Sequence, residues 1–350
     1  MKRLIQKFAA LACAVIAVKL CFAAAALPLA VSETLSRAMF ALEFGGGFDA
    51  SAEARGGMTE SNEAAMLSSE VPLAVTESDN ALFAEPDDYQ ILQPNANSQS
   101  ALRPITQPIE NSAYVPKIEN KSQTSIDALT LLADAPDINL QEGCAQILII
   151  HTHGSEAFID SEGYRSLDTA QNIVAVGDAF AEELQNRGLY VIHDRACYDQ
   201  PTYNGSYNRS ADAVTEWLEK YPSIQIVFDI HRDALELPDG TQRATMYSPL
   251  GTDSRTAQVM IYATNGDNGL DHPNWRENMK FALRLQKSAD ALFPGLTRPL
   301  CVSGQRFNEH LAPGYLLLEV GSAGNTTEEA IAAARLFAAS ASDVITPLIN

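Results

Sequence analysis

Residues 143–350 predict an α/β fold of three layers, a mostly parallel or mixed sheet with helices on both faces. Three observations predict it. Apolar runs of strand length alternate with stretches that carry an apolar residue every three or four positions, the pattern of strands interleaved with amphipathic helices. The runs are continuously apolar, as in strands buried on both faces. Several of them end in histidine or glutamate, and open α/β sheets gather ligand-binding groups at such strand ends.

The elements follow in order. The first strand is predicted at 145–150, ahead of His151-Thr152-His153-Gly154-Ser155-Glu156. A helix over about 169–187 carries Ile173, Val176, Phe180 and Leu184 on one stripe and stops at Gly188. Residues 189–192 make a second strand, 209–220 a helix, and 224–230 a third strand running into His231-Arg232-Asp233. Residues 258–263 form another strand. Asn274 is placed to cap a long helix bearing Met279, Ala282, Leu285, Ala289 and Leu292. A strand at 315–320 contains Glu319 directly after three leucines, and a helix over about 326–341 closes the domain.

The rest of the chain has a different character. Residues 1–31 combine a basic start (Lys2, Arg3, Lys7) with an apolar run interrupted by Lys19. About 20 apolar residues span a bilayer, so a membrane anchor with the body outside the cytoplasm is expected. A cleaved signal segment ending near Ala23-Ala24-Ala25 is the alternative. Residues 32–142, rich in Ser, Asn, Pro and acid, read as a largely disordered tether, with short amphipathic pieces near 35–42 and 126–132. The net charge of −20 argues against nucleic acid as a partner. The five cysteines include no CxxC pair, which disfavours a thiolate metal site.

Chemistry falls to the strand ends. Period-two alternation would put His151 and His153 on one side if the strand continued through them. His153, His231 and a carboxylate form the two-imidazole, one-carboxylate set of a catalytic zinc site. Glu156, at HxxE spacing, and Asp168 compete for the third place; a helix cap is the other role open to Asp168. Glu319 enters an apolar environment that would raise its pKa and suit a general base. Three loops around these ends supply binding candidates: Tyr203, Asn204 and Arg209; His272, Asn274 and Trp275; and Arg306. His151 and Arg232 join them, whereas His193 and Trp217 read as structural and His310 carries no assignment. There is no HExxH and no GxSxG.

The residues at 151–156, Asn172-Ile173-Val174-Ala175-Val176-Gly177, 203–210, 229–233, 272–275, Phe293-Pro294-Gly295-Leu296, 316–321 and Asn325-Thr326 occur in a specific order over 145–345. Together they resemble the stage II sporulation protein P family, membrane-anchored peptidoglycan hydrolases of spore-forming bacteria. The resemblance implies a fold and activity akin to zinc N-acetylmuramoyl-L-alanine amidases, whose fold relates to zinc carboxypeptidases. It implies cleavage between the lactyl group and L-alanine, endopeptidase action on the cross-linked peptides, and a part in septal wall thinning and engulfment. Stage II sporulation proteins D and M are the partners it implies. By the amidase pattern His153 and His231 fall on the metal histidines, Glu319 on the catalytic glutamate and Asp168 on the metal glutamate. The carboxypeptidase pattern favours Glu156 instead. A stem-peptide carboxypeptidase and a non-catalytic wall-binding scaffold are the rival functions.

Overall fold

Buried β-branched and leucine runs set the frame. The computed structural model describes residues 88–95, 114–248 and 255–350. The expected N-terminal anchor, the piece at 35–42 and the remaining acidic stretch lie outside them. Strand β3 (Ile147–Ile150) pairs in parallel with β4 (Val191–Asp194) on one side and with β5 (Ile226–Asp233) on the other. Strand β5 pairs in parallel with β8 (Gly314–Ser322), and every residue of β3, β4 and β5 is buried. The expected parallel core is therefore present, with its C-terminal ends at one sheet edge.

The other half runs the opposite way. Strand β6 (Val259–Thr264) is antiparallel to β8, and β7 (Leu300–Ser303) continues parallel to β6. The eight-stranded sheet has the order β1-β4-β3-β5-β8-β6-β7-β2. Its two edges correct the tether expectation: β1 (Tyr89–Leu92) and β2 (Ile118–Asn120) come from the acidic segment. So does helix α1 (Ala128–Ala133), capped by Asp127. The folded unit thus begins well before residue 143.

The two faces are covered unequally. Helices α2 (Ile173–Asn186), α4 (Trp275–Leu292) and α5 (Thr327–Ile345) lie on one face and bury Ile147, Ile149, Phe228, Ile230, Leu316 and Leu318 beneath them. Phe228 contacts the rings of Phe180 and Phe281 at 5.3 and 6.2 Å, and Phe180 stacks on Phe337 at 6.3 Å. Each such buried ring contributes about 1.5–3 kcal/mol. The opposite face holds α3 (Ser206–Lys220) over Leu148, Ile150 and Val227, together with the loops that build the site.

Two caps differ from expectation. Asn172, not Asp168, caps α2 by accepting from the Val174 N–H. Asn274 precedes α4 but makes no side-chain cap; its amide donates to the His310 carbonyl at 2.7 Å. Among the described residues one helix, Thr327–Leu348, is long and apolar enough to cross a membrane. Its buried residues lie in the main core with α2 and α4, so it reads as a core helix.

Candidate active site

The site lies where β3, β5 and β8 end on the α3 face. Strand alternation sends Val227, Asp229 and His231 to that face, while Ile226, Phe228 and Ile230 face the three-helix side. Glu319 stands opposite His231 in the β5–β8 register. Alternation holds through His151, which faces the three-helix side with Ile147 and Ile149, and fails in the turn after it, so His151 and His153 do not share a side. His151 points beneath the sheet, with Nδ1 2.8 Å from the Ile230 carbonyl. The turn at 152–155 swings His153 over the top. It is tight around Gly154, where a Cβ would lie 2.8 Å from Cys197 Sγ.

His153 and His231 are both buried, their rings 5.2 Å apart and near perpendicular at 82°. Tyr203 stacks on His153 at 4.4 Å, and Tyr207 stacks above His231 at 6.4 Å. Burial, then the positive neighbours His231, Arg165 and Arg232, hold His153 well below its ordinary value, so it is a neutral imidazole. His231 experiences the opposite field. Burial would strip its proton, but Asp229, Glu156 and Glu319 outweigh that and raise it to about 10.

Asp229 orients His231. Its Oδ1 lies 2.9 Å from His231 Nε2, leaving Nδ1 toward Glu156 Oε2 at 3.7 Å. Asp229 is itself held by the Thr152 N–H at 2.9 Å and hydroxyl at 2.6 Å. Against burial, which would raise it, His231 and Thr152 keep the Asp229 carboxyl below its usual range. Glu156 is 5% exposed and accepts from the Arg232 N–H at 3.0 Å. Burial pushes Glu156 up, partly offset by Arg232 and His231. Glu319 is half-buried, with its Oε2 buried.

The other sequence-derived candidates divide. Asp168 is exposed and sits in a local turn, its carboxylate accepting from the Ala170 N–H and the Gln171 amide, each at 3.0 Å. It is not brought to the imidazoles. Arg232 donates Nε to the Ala157 carbonyl and Nη2 to the Tyr164 carbonyl, each at 2.9 Å, and so fixes the 156–164 loop. Arg209 staples its loop through the Tyr198 and Asn204 carbonyls, and the Asn204 side chain is exposed. His272, Asn274, Trp275 and Arg306 form a separate group at the start of α4. There His272 meets the Thr264 hydroxyl at 3.0 Å and Arg306 Nη1 donates to the Asp271 carbonyl at 3.3 Å.

Sequence reasoning left Tyr207, Arg165 and Glu309 unassigned. Tyr207 had a signal in the aromatic loop ahead of α3. Its carbonyl accepts from Asn308 Nδ2 at 2.8 Å. Asn308 and the preceding Phe307 both have left-handed backbones, φ 60° and 39°, a costly arrangement for phenylalanine. Buried Glu309 accepts from the Thr264 N–H and hydroxyl, yet burial still raises its carboxyl well above the ordinary value.

Among the described residues no three His, Cys, Asp or Glu side chains are gathered closely enough to hold a metal as they stand. The donor chemistry nonetheless fits zinc. A neutral imidazole adjoins a second one whose far nitrogen is fixed by a carboxylate, and three carboxylates concentrate negative charge around that ring.

A family model described as Stage II sporulation protein P matches residues 61–342. No curated protein matches the chain. Among solved structures, the N-acetylmuramyl-L-alanine amidase Ami1 from Mycobacterium smegmatis is 13% identical, covering 60% of this chain and 98% of its own, with a TM-score of 0.35. An N-acetylmuramoyl-L-alanine amidase from Clostridium difficile 630 is 14% identical over 58% and 96%, TM-score 0.35. The CwlD amidase from Clostridioides difficile, solved in complex with the GerS lipoprotein, is 13% identical over 58% and 98%, TM-score 0.35.

Proposed function

The chain belongs to the stage II sporulation protein P family, and on that premise we propose that it is a zinc-dependent peptidoglycan amidase. It cleaves the amide between the glycan's lactyl group and L-alanine, with endopeptidase action on the cross-linked peptides. It works tethered to the membrane by residues 1–31, on the outer side, in septal wall thinning and engulfment, with stage II sporulation proteins D and M as partners. The observation that carries the reading is the buried, perpendicular His153–His231 pair with Glu156 beside it and Glu319 in register with His231.

His153, His231 and Glu156 would hold the metal. Glu156 is preferred over Asp168 because it is buried 3.7 Å from His231 Nδ1, whereas Asp168 is exposed and engaged in its own turn. Zinc bound there supplies Lewis acidity and brings the pKa of water toward about 7. The protein's residues do the rest. Asp229 Oδ1 lies 2.9 Å from His231 Nε2 and leaves Nδ1 as the donor atom. Tyr203 and Tyr207 wall the imidazoles and fix their planes. Glu319, half-buried beside His231, takes the proton of the attacking water and returns it to the leaving L-alanine amine.

Carboxypeptidase chemistry is less well supported. It needs a guanidinium that grips a chain terminus, and of the two arginines the sequence offers for it, Arg232 is committed to loop carbonyls and Arg306 lies with His272 at the start of α4, its Nη1 donating to the Asp271 carbonyl. A scaffold has no use for this many buried charged groups, each of which is costly to bury. Purified peptidoglycan incubated with the protein should release stem peptides, with one bound zinc per chain. A Glu319→Gln chain should keep the zinc and lose roughly three orders of magnitude in rate; parental activity in that variant would remove Glu319 from its role.

A further inference from the structure

Among the described residues, Arg165 is the one cation beside the site whose guanidinium is anchored at one end and open at the other. Its Nη1 donates to Asp199 Oδ2 at 2.9 Å and to Ser155 Oγ at 3.1 Å. Asp199 is 1% exposed at its side chain, whereas Arg165 is 43% exposed. Neither Nε nor Nη2 has a hydrogen-bond partner among the described residues. The residue is held from three directions. Its backbone bridges antiparallel to Glu156. Tyr164 before it has a left-handed backbone at φ 59°. Its guanidinium lies over the Tyr203 ring at 5.0 Å, and that ring stacks on His153.

This is not the pattern of a surface ion pair. Asp199 also accepts from the Ser155 N–H and hydroxyl, so the buried carboxylate already has partners in the His153–Glu156 turn. Arginine offers five donors in a planar fork suited to carboxylates. Here one corner is bound and the remaining edge faces solvent beside the candidate metal ligands.

The geometry points to Arg165 as a specificity residue that binds a carboxylate on the peptide adjoining the scissile amide. This rests on the hydrolase reading of the same site. The stacking distances of 5.0 and 4.4 Å place the guanidinium within about 10 Å of the His153 ring. Extended peptide advances about 3.3–3.6 Å per residue, so the carboxylate belongs to one of the first residues from the cut, not to a distant chain end. The second residue of the stem peptide is the one we commit to.

Binding separates this claim from catalysis. The full-length Glu319→Gln chain is titrated with two N-acetylmuramoyl tripeptides, both amidated at the C-terminus. Their second residue is a glutamate linked onward through its γ-carboxyl, and they differ only in whether that residue carries an α-carboxylate or an α-carboxamide. The expected preference for the carboxylate is about tenfold to a hundredfold, the effect of a charge-assisted hydrogen bond. Adding Arg165→Ala should bring the ratio of the two affinities close to one. Arg165→Lys keeps the cation beside Asp199 and should retain part of the preference, which guards against misfolding of the alanine variant. Equal affinity with Arg165 present, an unaltered ratio in both variants, or binding of neither probe would overturn the proposal. Hydrolysis of the same probes by the chain with Glu319 intact is scored separately. Failure there with the binding ratio preserved would count against the hydrolase reading alone.

Discussion

Two histidine pairs flank the sheet, nearly alike in ring geometry and unlike in their surroundings. On the three-helix face His151 and His193 lie 5.1 Å apart at 73°; on the α3 face His153 and His231 lie 5.2 Å apart at 82°. The first pair is closed. His151 bonds the Ile230 carbonyl, the two Nε2 atoms meet at 2.9 Å, and His193 Nδ1 reaches Asp178 at 3.1 Å. The second pair stands among Glu156, Asp229 and Glu319, near the half-buried Glu319. The contrast teaches that imidazole proximity alone does not make a site. What distinguishes the α3 pair is a carboxylate on the far side of His231 and the negative charge of Asp229, Glu156 and Glu319 around that ring.

The sharpest way to break that contrast is to delete one histidine from each pair. His153→Ala or His231→Ala should abolish zinc binding and cost roughly a thousandfold or more in peptidoglycan hydrolysis, and His231→Ala should also lower the urea midpoint, because buried Asp229 loses its partner. His151→Ala should keep one zinc per chain but lose about 3 kcal/mol of stability, because the Ile230 carbonyl and His193 are left unsatisfied in the core. If both deletions affected metal content equally, the two pairs would not differ as described.

Smaller effects sharpen it further. Asp229→Asn should cost about 10- to 100-fold in zinc affinity, since the amide no longer fixes the His231 tautomer; competition with a chelator measures it. Gly177→Ala should destabilise by about 1–3 kcal/mol without altering zinc affinity, as the new Cβ meets the His151 and His193 rings.

The smallest effect is in pH. Burial first, then His310, lowers His272 to about 4, and burial with His193 lowers His151 to about 3. Both are neutral in the fold and take up a proton once unfolded, near about 6.5. Their contribution is complete above that value and is lost as pH falls toward 4. The raised carboxyls Glu156 and Glu309 act with the opposite sign. The informative quantity is therefore a difference: the fall in urea midpoint from pH 7 to pH 5 should be smaller in His272→Gln than in the parent.

Much of the frame was legible because it is carried by long apolar runs. Strands β5 and β8 and helices α2, α4 and α5 each present several core residues at one period. Strands β1, β2 and β7, of three or four residues, gave too short a signal, and two of them sit in an acidic, proline-bearing stretch. Alternation held through His151 and failed at His153, because the turn around Gly154 replaces the strand there. Spacing could raise Glu156 and Asp168 but could not choose, since the choice depends on Arg232 and His231 meeting Glu156 from another strand. Arg165 was invisible for the same reason: its meaning lies in Asp199 and Tyr203, both more than thirty residues away.

The central claim is that His153, His231 and Glu319 form a peptidoglycan amidase centre. Mass spectrometry of purified peptidoglycan digested by the zinc-loaded full-length chain tests it most directly. The account predicts free lactyl ends on the glycan and intact stem peptides beginning with L-alanine, absent from the Glu319→Gln digest. Released terminal amino acids with the lactyl–peptide bonds intact, or the same products from both digests, would contradict it.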